Sequence, residues 1–428
     1  MRLLLKGGRI IDPSQGLDLV ADLLLEEGKI AALAPNLSPE GAEVLPCEGL
    51  IVSPGFIDLH VHFREPGEEW KETIATGSKA AVAGGFTAVA CMPNTKPPND
   101  NAEITRYLLQ KAAEAGLCRV YPVACITKGQ RGEELTEFGE LKAAGAVAVS
   151  DDGRPVPEAG LMRLALEYAK NFDLPVISHA EELSLSQGGH VNEGLASARL
   201  GLRGIPAQGE AIAIFREVAL VELTGSPIHI AHVSTRAGVE IIRRAKEKGL
   251  PVTAETAPHY FTLTEEATFG YHTNAKVNPP LRSEEDRQAV EEALADGTLD
   301  AIATDHAPHS PLEKVCEFER AAFGLIGLET ALPLTLRLVE RGTISLVRLV
   351  ELLSCTPAKI LKIPGGTLRQ GGVADVTVFD PEARWVVTEE ALHSKSKNSP
   401  FLGWEMKGLA VYTIVGGRVV FSRRKGLS

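Results

Sequence analysis

The sequence predicts an α/β protein, a (β/α)8 TIM-type barrel with a small β domain built from both ends of the chain. Three observations support this prediction. Strand-like and helix-like segments alternate along the middle of the chain, and short apolar runs separated by turn residues occupy both ends. In addition, histidine or aspartate stands at the end of five of the eight central strand-like segments. A barrel brings such strand ends together at one rim.

Both ends of the chain show the pattern of short strands. The apolar runs near the N-terminus are Leu3–Leu5, Arg9–Ile11, Asp22–Leu25, Lys29–Leu33 and Leu50–Val52. Those near the C-terminus are Ala374–Phe379, Trp385–Thr388, Ala410–Val415 and Arg418–Phe421. Gly416-Gly417 between the last two runs is a hairpin signal. We expect residues 1–53 and 365–428 to form one composite β domain, the alternative being two unrelated β tails.

The middle of the chain alternates between strand-like and helix-like segments. Runs rich in Val, Ile and Ala predict eight strands at 56–62, 88–93, 119–124, 146–150, 175–179, 228–234, 251–255 and 301–304. Helical segments between them are expected at 73–83, 103–115, 158–171, 210–223 and 237–248. Residues 54–364 are therefore expected to form the barrel. An open doubly wound sheet would give similar local patterns.

The polar strand ends favour the barrel over the open sheet. His60 and His62 lie two residues apart in the first strand and so face the same side. Polar residues also end the fourth, fifth, sixth and eighth strands, namely Asp151 and Asp152, His179, His232 and Asp305. In a barrel these ends form one rim, where active sites are built. In an open sheet they would be spread along an edge, too far apart to meet.

Imidazole and carboxylate groups gathered on one rim predict a divalent metal site. Zinc takes about four such ligands and keeps one position open for water in catalytic sites. Four histidines and two aspartates exceed the need of one ion, and a shared carboxylate lets them hold two. Iron, manganese or cobalt would suit the same ligands. His229 is expected to be a packing histidine facing away from His232, and the role of His259 stays open.

Composition excludes several classes of function. The chain has 44 Lys and Arg against 56 Asp and Glu, a formal net charge of −12, which disfavours binding to nucleic acid or to anionic membranes. No apolar run reaches the roughly 20 residues of a membrane span, and no signal-peptide core is evident. The six cysteines are scattered, as expected for reduced thiols. We therefore expect a cytoplasmic protein.

Two motifs carry a resemblance to a known family. Residues 54–65 (PGFIDLHVHFRE) and 303–309 (ATDHAPH) resemble those of the dihydroorotase family, part of the amidohydrolase superfamily. The resemblance extends to four further motifs at 91–95 (CMPNT), 178–181 (SHAE), 229–234 (HIAHVS) and 276–282 (KVNPPLR). It covers essentially the whole chain, and it implies the barrel and composite β domain that the patterns predict.

The resemblance implies a ligand set for two zinc ions per chain. His60, His62 and Asp305 would hold one ion, His179 and His232 the other, and Asp152 would bridge them. Many relatives use a carboxylated lysine as the bridge, but the end of the fourth strand has no lysine. This departure points to the bacterial class with a bridging aspartate. Strand geometry alone leaves Asp151 and Asp152 as alternatives, because neighbouring residues point apart.

The resemblance also assigns substrate contacts. It implies contacts from His62, Arg64, Asn94, Asn278 and His309, and from the backbone of Phe323 and Gly324. The planar donor fork of Arg64 matches a carboxylate, the alternative role for Arg64 being a structural salt bridge. The segment 310–322 follows the last rim strand and is long enough to form a lid.

The implied activity is the reversible, zinc-dependent hydrolysis of (S)-dihydroorotate to N-carbamoyl-L-aspartate, the ring-closing step of de novo pyrimidine (UMP) biosynthesis. Asp305 would move the proton from water to the leaving nitrogen. The alternatives are another cyclic amidase, such as a hydantoinase or allantoinase, and an inactive homologue that serves as a scaffold. Some dihydroorotases of this class assemble with aspartate carbamoyltransferase, so that complex and a homodimer are the candidate assemblies.

Overall fold

The computed structural model describes residues 2–423, and eight parallel strands form its centre. The strands follow one another around the sheet in chain order. Their bounds are Phe56–Val61, Phe86–Cys91, Arg119–Ala124, Ala148–Ser150, Val176–Ser178, Ile228–Ile230, Val252–Thr256 and Ala301–Ile302. Most of their residues are buried on both faces, as expected for a sheet covered by helices. All eight predicted strands are thereby confirmed, most of them shorter than predicted.

Contacts between the first and eighth strands close the barrel. Val61 pairs in parallel with His306, and the backbone N–H of His62 donates to the carbonyl of His306 at 2.8 Å. Beneath this pair, the buried carboxylate of Asp58 accepts a bond from the backbone N–H of Thr304 at 3.0 Å and one from its hydroxyl at 2.5 Å. Closure brings the polar ends of the first and eighth strands side by side.

Helices surround the barrel and bury their apolar faces against it. The longer ones are Ile74–Gly84, Ala102–Ala115, Phe138–Ala144, Ala159–Asn171, Ala207–Thr224, Arg236–Glu247, Glu284–Asp296 and Ala331–Glu340. Shorter helices are Leu183–Ser186, Leu195–Leu200, Pro258–Thr262, Pro311–Lys314, Leu346–Val350 and Thr356–Leu361. All five helices predicted from periodicity are present, with ends displaced by at most three residues. None of the described helices is both long and apolar enough to cross a membrane.

Strands from both ends of the chain form a second sheet with its own apolar core. The N-terminal strands are Arg2–Asp12, Leu17–Glu26, Lys29–Ala34, Glu43–Pro46 and Ile51–Pro54, and the C-terminal ones are Val376–Val386, Glu405–Val415 and Arg418–Ser422. Ile51–Pro54 pairs with Val376–Val386, which joins the two ends. The core includes residues of both, such as Leu5, Ile10, Val376 and Ile414. On this basis we propose the division into 1–53 with 365–428 and 54–364.

Three details of this sheet differ from the expectation. The predicted runs Ala374–Phe379 and Trp385–Thr388 share one strand, Val376–Val386. Leu3–Leu5 and Arg9–Ile11 belong to one strand, because the chain bulges between Leu5 and Gly8 instead of turning. Gly7 has φ 73° there, a conformation that costs glycine little. Strand Glu43–Pro46 was missed, since its alternation is too short to stand out. The predicted hairpin at Gly416-Gly417 is present, with Val415 paired to Arg418.

The sixth and eighth strands end earlier than predicted, and a residue in a left-handed conformation follows each of them. His232 has φ 38° and Asp305 has φ 48°, values that are uncommon for residues other than glycine. Arg64, just beyond the first strand, has φ 60°. Such strain clusters at functional sites, where the surrounding structure enforces it. In this chain the three residues with this conformation, His232, Asp305 and Arg64, line one cavity at the rim.

Candidate active site

A cavity of about 240 Å³ opens at the C-terminal ends of the barrel strands. Of the twelve residues predicted for the site, all but His60 line it: His62, Arg64, Asn94, Asp152, His179, His232, Asn278, Asp305, His309, Phe323 and Gly324. His60 lies directly beneath, fully buried. Segments distant in sequence therefore meet at one place.

The carboxylate of Asp152 lies at the centre of the polar cluster. Its oxygens are 3.3 Å from Nε2 of His60, 3.5 Å from Nε2 of His62, 3.3 Å from Nδ1 of His179 and 3.4 Å from Nε2 of His232. One carboxylate thus faces ring nitrogens from all four histidines. Two oxygens so placed are what a bridge between two ions requires.

Asp305 and Asp151 occupy very different positions. An Asp305 oxygen lies 3.1 Å from Nε2 of His62 and 3.6 Å from Nε2 of His60, at the edge of the cavity. Asp151 turns away, and its carboxylate accepts bonds from the backbone N–H groups of Ile126 and Thr127. Of the two neighbouring aspartates that the sequence left as alternatives, the structure places Asp152 in the cluster.

The donor set fits a divalent metal. Ligand atoms of His60, Asp152 and His232, and likewise those of His60, His62 and Asp305, lie within 4.8 Å of one another. Nδ1 of His179 is 2.8 Å from Nε2 of His232, and both nitrogens face the same oxygen of Asp152. Nε2 of His60, the nitrogen that faces the cluster, makes no hydrogen bond with a described residue. Buried nitrogens left without partners are expected where a metal would be their partner.

The electrostatics of the cluster also call for a cation. Burial would raise the pKa of Asp152, yet His60, His179 and His232 hold it well below its usual value. Burial would lower the pKa of His179, but Asp152 and Glu181 raise it to about 10. Both pKa shifts have the same cause, since a buried carboxylate is stabilised by positive charge close to it. A metal ion would supply that charge and leave the histidines neutral.

Glu255, at the end of the seventh strand, supports the cluster and was missed from the sequence. One oxygen of this fully buried carboxylate is 3.3 Å from Nδ1 of His60, and the other is 3.2 Å from Nε2 of His229. Nδ1 of His229 in turn lies 2.9 Å from the hydroxyl of Thr253. Glu255 thus fixes the His60 ring with Nε2 toward Asp152, as second-layer carboxylates orient ligand imidazoles. The signal was an acidic residue ending an apolar strand.

Arg64 is a buried cation without an anionic partner. Its Nε donates to the carbonyl of Pro308 at 3.2 Å, and Nη2 lies 3.3 Å from Nε2 of His309. The side chain lines the cavity, and no carboxylate of the described residues pairs with it. Burial accordingly lowers its pKa, against the distant attraction of Glu68. A structural salt bridge therefore does not explain Arg64.

Two asparagines orient rim side chains. Oδ1 of Asn94 lies 2.8 Å from Nδ1 of His62, and Nδ2 of Asn278 donates to Glu181 at 3.2 Å. Glu181 also lies 2.9 Å from Nε2 of His179. Both asparagines line the cavity, so each is within reach of a ligand as well.

The predicted lid segment is held in place beside the site. Lys314 is buried and donates to the carbonyls of Thr273 at 2.9 Å and Ala322 at 2.7 Å. At the end of the segment, Asn398 donates to the carbonyls of Ala307 and Gly324, both at 3.1 Å. Asn398 comes from a distant part of the chain, and its sequence context gave no sign of this role. Together these bonds position the Phe323-Gly324 backbone against the cavity.

The remaining buried histidines lie outside the cavity. His229 is the packing histidine that the sequence predicted. His259 is buried, its Nε2 has no hydrogen-bond partner among the described residues, and burial lowers its pKa to about 4. His306 accepts a bond from the backbone of Gly327 and lies 3.5 Å from Glu72, behind Asp305.

Comparison with known proteins agrees with this geometry. The family model described as dihydro-orotase-like matches residues 49–238. A dihydroorotase of Geobacter metallireducens is 59% identical over 424 residues, which is 99% of this chain and 100% of that protein. A dihydroorotase of Geobacter sulfurreducens is 62% identical over 424 residues, with the same coverage of both chains.

Solved structures share the architecture at lower identity. The L-hydantoinase (dihydropyrimidinase) of Arthrobacter aurescens superimposes with a TM-score of 0.88 at 26% identity, over 100% of this chain and 97% of that one. The D-hydantoinase of a Thermus species gives 0.85 at 26% identity, over 100% and 96%. The fold is thus common to several cyclic amidohydrolases, and the sequence identities separate them. Because two dihydroorotases are 59% and 62% identical to it over 99% of its length, the chain belongs to the dihydroorotase family.

Proposed function

We propose that the protein catalyses the reversible hydrolysis of (S)-dihydroorotate to N-carbamoyl-L-aspartate. The reverse of this hydrolysis closes the ring and is a step of pyrimidine biosynthesis. The single observation that carries this substrate choice is Arg64. A buried guanidinium beside the metal-type cluster, without a carboxylate partner among the described residues, supports a substrate that brings its own carboxylate. Hydantoin and dihydrouracil have a similar cyclic amide but no carboxylate.

We propose that the cluster holds two zinc ions. His60, His62 and Asp305 would hold one, His179 and His232 the other, and Asp152 would be shared. The distances of 3.3 to 3.5 Å from Asp152 to the four imidazoles support the shared role. When bound, the metals would supply Lewis acidity, which lowers the pKa of a water and polarises the amide carbonyl.

The side chains of the protein would then bind the substrate and move one proton. Arg64 and His309 would hold the carboxylate, while Asn94, Asn278, His62 and the Phe323-Gly324 backbone would fix the ring. Burial would raise the pKa of Asp305, but His60, His62 and His232 hold it below its usual value. Asp305 is therefore ionised at neutral pH and can accept the proton of the attacking water. It would return that proton to the ring nitrogen as the C–N bond breaks.

Turnover by the zinc-loaded chain tests this proposal. We expect hydrolysis of dihydroorotate, with kcat/KM for dihydrouracil and hydantoin lower by at least about tenfold, since an unpaired buried donor costs about 1–3 kcal/mol. Equal turnover of the neutral rings would favour the alternative that the protein is a hydantoinase, an activity found among proteins of the same fold. Absence of turnover with full metal content would favour an inactive scaffold.

We propose a cytoplasmic location and, as candidate assemblies, a homodimer or a complex with aspartate carbamoyltransferase.

A further inference from the structure

A second, larger cavity adjoins the catalytic one on its outer side. Its volume is about 530 Å³, and it shares Gly153, Asn278 and Phe323 with the catalytic cavity. These three residues therefore lie at the boundary between the two spaces. Gly153 has φ 74°, and a β-carbon placed on it would lie 3.6 Å from Nδ2 of Asn94. Gly153 therefore lies at the junction of the two cavities, beside Asn94 and in a conformation that favours glycine.

The outer cavity is lined by cations that have no anionic partner. Arg131 and Arg154 are exposed residues of its wall. Arg203 borders the same space, since a β-carbon on Gly188 would lie 3.3 Å from its Nη1. None of the three guanidinium groups makes a hydrogen bond or ion pair with a described residue.

Among the described residues this wall has one acidic side chain, Glu181, against Arg131 and Arg154 in the wall and Arg203 at its border. Glu181 is already engaged by Nε2 of His179 at 2.9 Å and by Nδ2 of Asn278 at 3.2 Å. Neighbouring Asp151 is buried and bonded to backbone N–H groups. The net charge of the outer cavity is therefore positive.

The positive charge of the outer cavity is opposite in sign to the net charge of the molecule. The chain carries a formal net charge of −12, so its overall field repels small anions. The substrates of the proposed reaction are anions, with one carboxylate in the ring-closed form and two in the ring-opened form. A cationic approach to the catalytic cavity offsets the repulsion within a Debye length of the entrance.

We propose that this outer cavity is an entry subsite for small carboxylates, in which Arg131 and Arg154 hold the substrate anion before it passes Gly153 to reach Arg64. The inference rests on the proposed function for the identity of the anion. It adds two residues that set affinity and encounter rate without touching the reacting atoms, and it assigns a ligand class to a cavity outside the catalytic cluster.

The test compares variants that change charge at this wall with a matched variant elsewhere. Arg131→Gln/Arg154→Gln removes both charges, and Arg131→Lys/Arg154→Lys retains them. Arg106→Gln, in helix Ala102–Ala115, is the control, because Arg106 is exposed and its side chain makes no hydrogen bond or ion pair with a described residue. Each is assayed as zinc-loaded protein for kcat/KM of dihydroorotate, from about 0.01 M to about 0.5 M ionic strength.

We expect the glutamine pair to lower kcat/KM about three- to tenfold at low ionic strength, with the difference disappearing at high ionic strength. The lysine pair and Arg106→Gln should follow the wild type. A glutamine pair that matches the wild type at low salt, or a lysine pair that loses as much as the glutamine pair, would overturn the proposal.

Calorimetric binding of N-carbamoylaspartate gives a second readout that needs no turnover. The dissociation constant for this dicarboxylate should rise in the glutamine pair by a larger factor than the KM of the monocarboxylate, because a charge effect scales with ligand charge. Equal binding by the glutamine pair and the wild type would refute the entry subsite alone. Failure of the wild type both to bind this ligand and to turn over dihydroorotate would instead refute the proposed function.

Discussion

Replacing Arg64 by methionine should remove the preference for a carboxylated ring. The structure gives the size of the effect, because Nε and Nη2 of the buried guanidinium engage Pro308 and His309, and the remaining donors are left for a ligand. Two charge-assisted hydrogen bonds to a carboxylate contribute about 1.5 kcal/mol each, or about 3 kcal/mol together. That corresponds to a loss of about 100-fold in kcat/KM for dihydroorotate.

The assay is steady-state hydrolysis of dihydroorotate and dihydrouracil by the wild type, Arg64→Met and Arg64→Lys, with zinc content and melting temperature measured for each. Activity on dihydrouracil should not fall in Arg64→Met, since that substrate offers nothing for the guanidinium to bind. Arg64→Lys should keep part of the activity, because it retains the charge but loses the planar fork. An Arg64→Met variant within threefold of the wild type on dihydroorotate, or one equally impaired on both rings, would refute the reasoning.

Three further changes probe the cluster and its supports. Asp305→Asn should lower kcat by about 10²- to 10⁴-fold with a small change in KM; a loss below about tenfold with metals retained would remove Asp305 from proton transfer. Glu255→Gln should weaken zinc affinity about 10- to 100-fold through His60, as measured by competition with a chelator, and excess zinc should restore turnover. Wild-type zinc affinity in that variant would contradict the orienting role. Lys314→Met should speed hydrogen exchange in residues 311–323 and raise KM, and unchanged exchange would show that its carbonyl bonds do not hold the segment.

Much of the fold was predictable because barrel strands are hydrophobic on both faces and end at one rim. The histidines at the strand ends, His60, His179 and His232, predicted the position of the rim, and in the structure all three face Asp152. Strand lengths were overestimated since a left-handed turn at a residue such as His232 leaves no mark in the sequence. For the same reason, the early end of the eighth strand before Asp305 was not foreseen.

The supports of the site were harder to predict than its lining. Choosing Asp152 over Asp151 depends on how the backbone leaves the fourth strand, which alternation alone does not determine. Glu255 acts through His60 from beneath the cavity, and a single acidic residue at a strand end is compatible with simple exposure. Asn398 reaches Gly324 from the far end of the chain, a contact that only the closed fold creates.

A metal titration of the chelator-treated protein tests the central claim most directly. Activity on dihydroorotate should be absent without metal and should rise with added zinc until two equivalents are bound per chain. In Asp152→Ala both zinc content and activity should fall, and bicarbonate should rescue neither, because the end of the fourth strand has no lysine to carboxylate. Full turnover without metal, or an Asp152→Ala variant that keeps both ions and normal turnover, would contradict the two-metal site built around Asp152.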